Sequence, residues 1–148
     1  MVLGIIGENC SGKSTLAKAI NQRLNAKVYS GSDYLRLAKN EAEARKMFIK
    51  MLSENENENN IIYVVTEPEQ LDILPDNAIK ILVKTDIETI KDRFRERMHG
   101  TLPRPVEMML ERKHGIFDDG QYDFVYDGTS DNIDLLCDKI TVKGIGAA

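Results

Sequence analysis

GENCSGKST, residues 7–15, stands between the apolar run MVLGII and a stretch whose apolar residues recur at helical spacing. Gly7, Gly12, Lys13 and Ser14 fill the pattern G-x-x-x-x-G-K-S at every position, and a strand before and a helix after give that pattern its meaning. Glycine reaches backbone conformations closed to other residues. Successive N–H groups can therefore turn inward onto phosphate oxygens while the opening helix adds partial positive charge. Glu8, Asn9, Cys10, Ser11 and Thr15 complete the cradle. Lys13 is expected to bridge the β- and γ-phosphates of a nucleoside triphosphate, and Ser14 to coordinate Mg2+. The cofactors this implies are ATP and Mg2+. Cys10 lies where the local field favours thiolate, but it reads first as a tolerated small residue in a variable loop position and not as a redox control.

Outward from the loop, helical periodicity places Leu16, Ala19, Ile20 and Leu24 on one face of a helix running from Lys13 to about Asn25. KVYS, residues 27–30, reads as a short strand. Residues 33–52 read as one longer helix, with Leu37, Ala44, Phe48 and Met51 inward and Asp33 as its N-cap. The polar run SENENENN, residues 53–60, has nothing to bury and reads as a solvated loop. IIYVV, residues 61–65, and AIKILV, residues 78–83, are rich in β-branched residues, as parallel strands covered on both faces must be. TDIE, residues 85–88, has the form of a capping box led by Thr85, followed by a helix with Ile87, Ile90, Phe94 and Met98 buried. LPRP breaks that helix, and a second amphipathic run covers residues 106–113. YDFVYD is the last strand. A final helix of about ten residues is expected to be capped at Thr129, Ser130 or Asp131, with Ile133, Leu136, Cys137 and Ile140 inward.

Strands alternating with helices argue for one three-layer α/β domain with a parallel sheet, and 148 residues leave room for a single substantial core. The 24 acidic residues outnumber the 20 basic ones, which removes the global positive field of a general nucleic-acid binder. No apolar run approaches the ~20 residues that span a bilayer, so no membrane partner is expected and the chain reads as cytoplasmic. The two cysteines, Cys10 and Cys137, show no metal-ligand spacing. Monomer and homodimer both stay open.

A phosphate loop alone does not choose among kinase, GTPase, motor and transport ATPase. The GTPase reading weakens at VKTD, residues 83–86, where an apolar Val83 stands in place of a guanine-reading Asn or Thr. Glu67, just past the strand IIYVV, keeps a motor-type ATPase open without favouring it.

Three later segments point elsewhere. SGSDYLR, residues 30–36, resembles the STGDxLR segment of the adenylate kinase family, RFRER, residues 93–97, resembles the R-x-x-x-R helix entering that family's lid, and YDFVYDGTS resembles its final strand and nucleotide-side loop. The resemblance spans nearly the whole chain in order. It implies a three-layer P-loop NTPase fold, a five-stranded parallel sheet in the order 2-3-1-4-5 flanked by helices. It also implies a phosphotransferase that uses Lys13, Asp33, Arg93 and Arg97 in catalysis and Asp33, Arg36 and Arg104 toward the substrate. A single domain over residues 1–148 would carry an acceptor-side helix at about 33–53 and a short lid at about 97–114. The chain departs from the family at VVTEPEQ, which lacks the family's D-G pair and second acceptor-side Arg, and its short lid is similar to those of shikimate and gluconate kinases. The expected partner is a small-molecule phosphate acceptor, first a nucleoside or nucleoside monophosphate. A nucleotide-dependent switch, a kinase of a small acid and a kinase of polynucleotide 5′ ends are the alternatives.

Overall fold

In the computed structural model, residues 1–54, 59–128 and 132–146 are described. Five short apolar segments form one parallel sheet: β1 (Val2–Ile6), β2 (Lys27–Ser30), β3 (Ile61–Val65), β4 (Ile79–Lys84) and β5 (Phe124–Asp127), in the order β2-β3-β1-β4-β5. β1 is central, with Leu3 opposite Ile62 on one side and Ile79 on the other. Around the sheet lie α1 (Lys13–Leu24), α2 (Glu41–Ser53), α3 (Ile87–Arg97), α4 (Arg104–Lys113) and α5 (Ile133–Gly146). The chain builds leftward from β1 through β2 and β3, then crosses to β4 and β5. The reversal of strand order opens a crevice at the carboxyl ends of β1 and its neighbours, where open α/β sheets bind ligands.

Side-chain alternation along the strands divides the core. Val2, Ile6, Tyr63, Val65 and Leu82 face α2, where Ala44, Phe48 and Leu52 fill the layer. Leu3, Ile5, Ile62, Val64, Ile81 and Val83 face the other way, onto Leu16, Ala17 and Ile20 of α1 and Leu136, Cys137 and Ile140 of α5. A Cβ on Gly4, on the first face, would stand 2.6 Å from Leu74 Cδ1, so the buried Leu74 side chain would have to shift to admit one. A third, small cluster joins Cys10 of the loop to Ile90 and Leu110 on α3 and α4. Cys10 is thus a packing residue between the loop and these two helices.

Several local expectations need correction. The single helix over residues 33–52 is two elements, a 3₁₀ turn at Asp33–Leu37 and then α2. The break comes at Asn40, whose side chain accepts the N–H groups of Ala42 and Glu43 and so starts α2 afresh. Asp33 caps nothing downstream; its carboxylate accepts the Ser30 N–H at 2.9 Å. Leu52 rather than Met51 is buried on α2, and Ala17 rather than Ala19 on α1. Asp86, not Thr85, caps α3, taking the Thr89 N–H at 2.9 Å. Met98 lies past the end of α3 and is exposed. The three candidate caps of the last helix, and residues 55–58 of the polar run, lie outside the described residues. The cap seen there is Asn132, whose Oδ1 accepts the N–H groups of Asp134 and Leu135.

Candidate active site

The loop leaves β1 at Gly7, whose N–H donates to the Val65 carbonyl at 3.1 Å, and closes on itself where Ser11 N–H donates to the Glu8 carbonyl. Cys10 has φ 61° and Gly12 φ 101°, the second a conformation that strongly favours glycine. α1 opens at Lys13 with no side-chain cap and no acidic residue in its first turn. Its first N–H groups have no intrahelical acceptor, so they face the cradle together with the positive end of the helix. These features fit a polyphosphate, and Ser14, exposed at the same rim, fits a cation that accompanies one.

Lys13 is folded into the loop, 7% exposed, with Nζ donating to the Glu8 carbonyl at 2.6 Å. Burial lowers its pKa from 10.5 to about 8; the nearby Arg97 pushes the same way, and Cys10, Glu8 and Glu67 oppose it. Arg93 Nη1 donates to the Cys10 carbonyl at 3.0 Å and stands 3.5 Å from where a Cβ on Gly12 would be. Arg97 is the common wall of two hollows. One is lined by Gly12, Thr15, Leu16, Tyr126 and Ile133. The other is lined by Asn9, Lys13, Ser14, Ser30 and Thr66. Three cations from two elements therefore converge on one loop. The i, i+4 spacing of Arg93 and Arg97 puts both on the same side of α3.

The remaining sequence candidates are placed less directly. Asp33 lies at the end of β2 beside Ser30, and Arg36 Nε donates to its carbonyl at 3.3 Å with the guanidinium 80% exposed. Arg104 is engaged with carboxylates of its own helix. It opens α4, so Glu107 and Glu111, three and seven residues on, share its face; it bonds Glu107 and lies 3.9 Å from Glu111.

Three contacts around the loop escape the sequence reading. Thr85, buried at the end of β4, donates its hydroxyl to the Ser11 carbonyl at 2.7 Å and pins the loop from below. Glu8 reaches out of the loop to accept the Gly115 N–H at 3.0 Å, with His114 Nδ1 at 3.0 Å from its other oxygen. Lys113 pairs with Glu67 at 3.1 Å, so residues 113–115 tie the end of α4 both to the loop and to the end of β3. A threonine directly after an apolar strand run was the one available signal for Thr85. The others join residues too far apart in the chain to be paired from spacing.

No helix among the described residues is long and apolar enough to cross a membrane, and no group of three or more His, Cys, Asp or Glu among them could hold a metal ion. The family model described as ABC transporter matches residues 1–104, which take in the loop, the first four strands and α3. No curated protein matches the sequence. Among solved structures, an uncharacterized protein from Eubacterium ventriosum is similar at 21% identity and TM-score 0.65, covering 100% of this chain and 99% of its own. A sugar kinase from a Janibacter species is similar at 14% identity and TM-score 0.63, over 95% of this chain and 92% of its own. A shikimate kinase from Acinetobacter baumannii, solved in complex with shikimate, is similar at 14% identity and TM-score 0.63, over 98% and 93%. At these identities the likeness is one of fold, that of a P-loop nucleotide-binding domain with the sheet order described above.

Proposed function

We propose that this chain, which belongs to the family described as ABC transporter, is a P-loop kinase that transfers the γ-phosphoryl group of ATP to a hydroxyl or phosphate oxygen of a small anionic acceptor. The observation that carries the reading is the convergence of Lys13, Arg93 and Arg97 on the phosphate loop. Phosphoryl transfer asks a protein chiefly to align two substrates and to neutralise charge gathering on the transferred group, and these side chains are disposed for that task.

Lys13 and the uncapped N–H groups of α1 would hold the polyphosphate, with Ser14 as a ligand of Mg2+. The cation, when bound, supplies further charge neutralisation on the phosphate oxygens. Arg93 and Arg97 close the loop from the α3 side and exclude water from the transferred group. Asp33 orients the acceptor hydroxyl. An acidic group on the acceptor, phosphate or carboxylate, meets Arg36, whose planar fork suits either. A hydroxylated sugar acid or cyclic acid would take the phosphoryl group on its hydroxyl and a nucleoside monophosphate on an oxygen of its own phosphate; both carry the anionic group that Arg36 would hold, and a panel of both classes decides between them.

The family match favours one second reading, a nucleotide-hydrolysing switch without an acceptor. The two part in a simple assay of ATP consumption with and without the acceptor panel. A kinase shows stimulation by one class of acceptor and a phosphorylated product. A switch shows the same slow hydrolysis throughout, and that result would remove the kinase proposal.

A further inference from the structure

We infer that Tyr63 is a positioning residue for the acceptor side of this site, holding the turn at residues 30–33 so that it presents the Asp33 carboxylate. This rests on the reading of Asp33 as the group facing the acceptor. Tyr63 is fully buried in the middle of β3, where the other four residues are aliphatic. Volume alone would be served by phenylalanine. The ring packs edge-on against Phe48, centroids 5.0 Å apart at 82°, which fixes where its hydroxyl points. That hydroxyl donates to the Gly31 carbonyl at 2.7 Å. Gly31 N–H in turn donates to the Val64 carbonyl at 2.9 Å. Successive residues of β3 thus grip Gly31 from both sides, one by backbone and one by side chain.

Gly31 is where the chain leaves the sheet. Its φ of 53° turns the backbone out of β2, and Asp33 Oδ2 closes the turn by accepting the Ser30 N–H at 2.9 Å. A buried phenol cannot leave its acceptor without an unmet hydrogen bond, so the turn and with it Asp33 are held in one conformation. Burial first, and then the charge of the Tyr34 phenol, keep the Tyr63 phenol well above its ordinary pKa, so it stays a donor through the neutral and mildly alkaline range. With no exposed surface, Tyr63 acts only through Gly31.

Tyr63→Phe removes the hydroxyl and keeps the ring. The expected result is faster amide exchange at Ser30 and Gly31, with β1 amides unchanged and nucleotide affinity kept within about twofold. Acceptor-dependent kcat should fall roughly tenfold, the order of effect of one lost hydrogen bond. The same kcat loss is expected from Gly31→Ala, which strains the turn at its left-handed residue without touching the core, and Tyr63→Leu should not restore it. A lower melting temperature with wild-type exchange at Ser30 and wild-type kcat would overturn the proposal by reducing the hydroxyl to a packing role. If Tyr63→Phe does not fold, Gly31→Ala with wild-type kcat overturns it equally. The exchange readout needs no acceptor, so it supports or overturns the grip on the turn even if the wild-type chain shows no acceptor-stimulated turnover, an outcome that would sink the kinase reading itself.

Discussion

Lys13 gives the site a measurable cost in the folded chain. The ammonium is 7% exposed and its pKa falls from 10.5 to about 8 through desolvation. At about 1.36 kcal/mol per pH unit, holding it charged below pH 8 costs the fold about 3 kcal/mol relative to the neutral amine. The sign follows from proton counting. Between pH 8 and 10.5 the unfolded chain holds a proton that the folded chain has released, so stability rises with pH in that window. Integrated from pH 7 to pH 10, the gain is about 2.5 kcal/mol. Lys13→Met removes the titrating group and keeps most of its volume. Urea unfolding of nucleotide-free protein at intervals from pH 7 to 10 should find the variant the more stable at pH 7, with the gap shrinking by about 2 to 3 kcal/mol toward pH 10. Two curves that stay parallel across that range would refute the argument. A polyphosphate favours the charged amine, so nucleotide affinity of the wild-type chain should also weaken above pH 8, and that of Lys13→Met should not.

Other expectations follow from single contacts. Thr85→Val leaves the Ser11 carbonyl without its donor, and should cost about 1–3 kcal/mol in urea unfolding and weaken nucleotide binding, with Thr85→Ser restoring both. Arg97→Ala should lower kcat by about a hundredfold, the scale of removing one preorganised charge at a reacting group. Arg104→Ala should leave kcat near wild type, because that side chain is engaged with Glu107 and Glu111 on its own helix.

How far the sequence could lead depended on whether a feature was local. The loop, the strands IIYVV and KVYS and the pairing of Arg93 with Arg97 are each written within a few residues, by glycine positions, β-branched runs or i, i+4 spacing. The sheet order followed from the resemblance of the segments taken in chain order, and the structure agrees. Local signals misled where two residues competed for one role. Thr85 and Asp86 can both cap a helix, and the apolar environment at the end of β4 took Thr85 inward while Asp86 stayed outside to cap α3. At residues 33–52 the helical period was real in both halves, but Asn40 captured the N–H groups of a new helix start. Contacts such as Tyr63 to Gly31, 32 residues apart, and Glu8 to Gly115, 107 apart, depend on the folded sheet to bring them together. No spacing rule connects them.

The central claim is that the cations around the loop serve transfer of a phosphoryl group to an acceptor and not hydrolysis alone. The most direct test follows γ-labelled ATP with the wild-type chain and Lys13→Ala against nucleosides, nucleoside monophosphates, sugars and hydroxylated small acids. Label should move from ATP to one acceptor class with the wild-type chain and not with Lys13→Ala. Label released only as inorganic phosphate with every acceptor, or transfer undiminished in Lys13→Ala, would contradict the account.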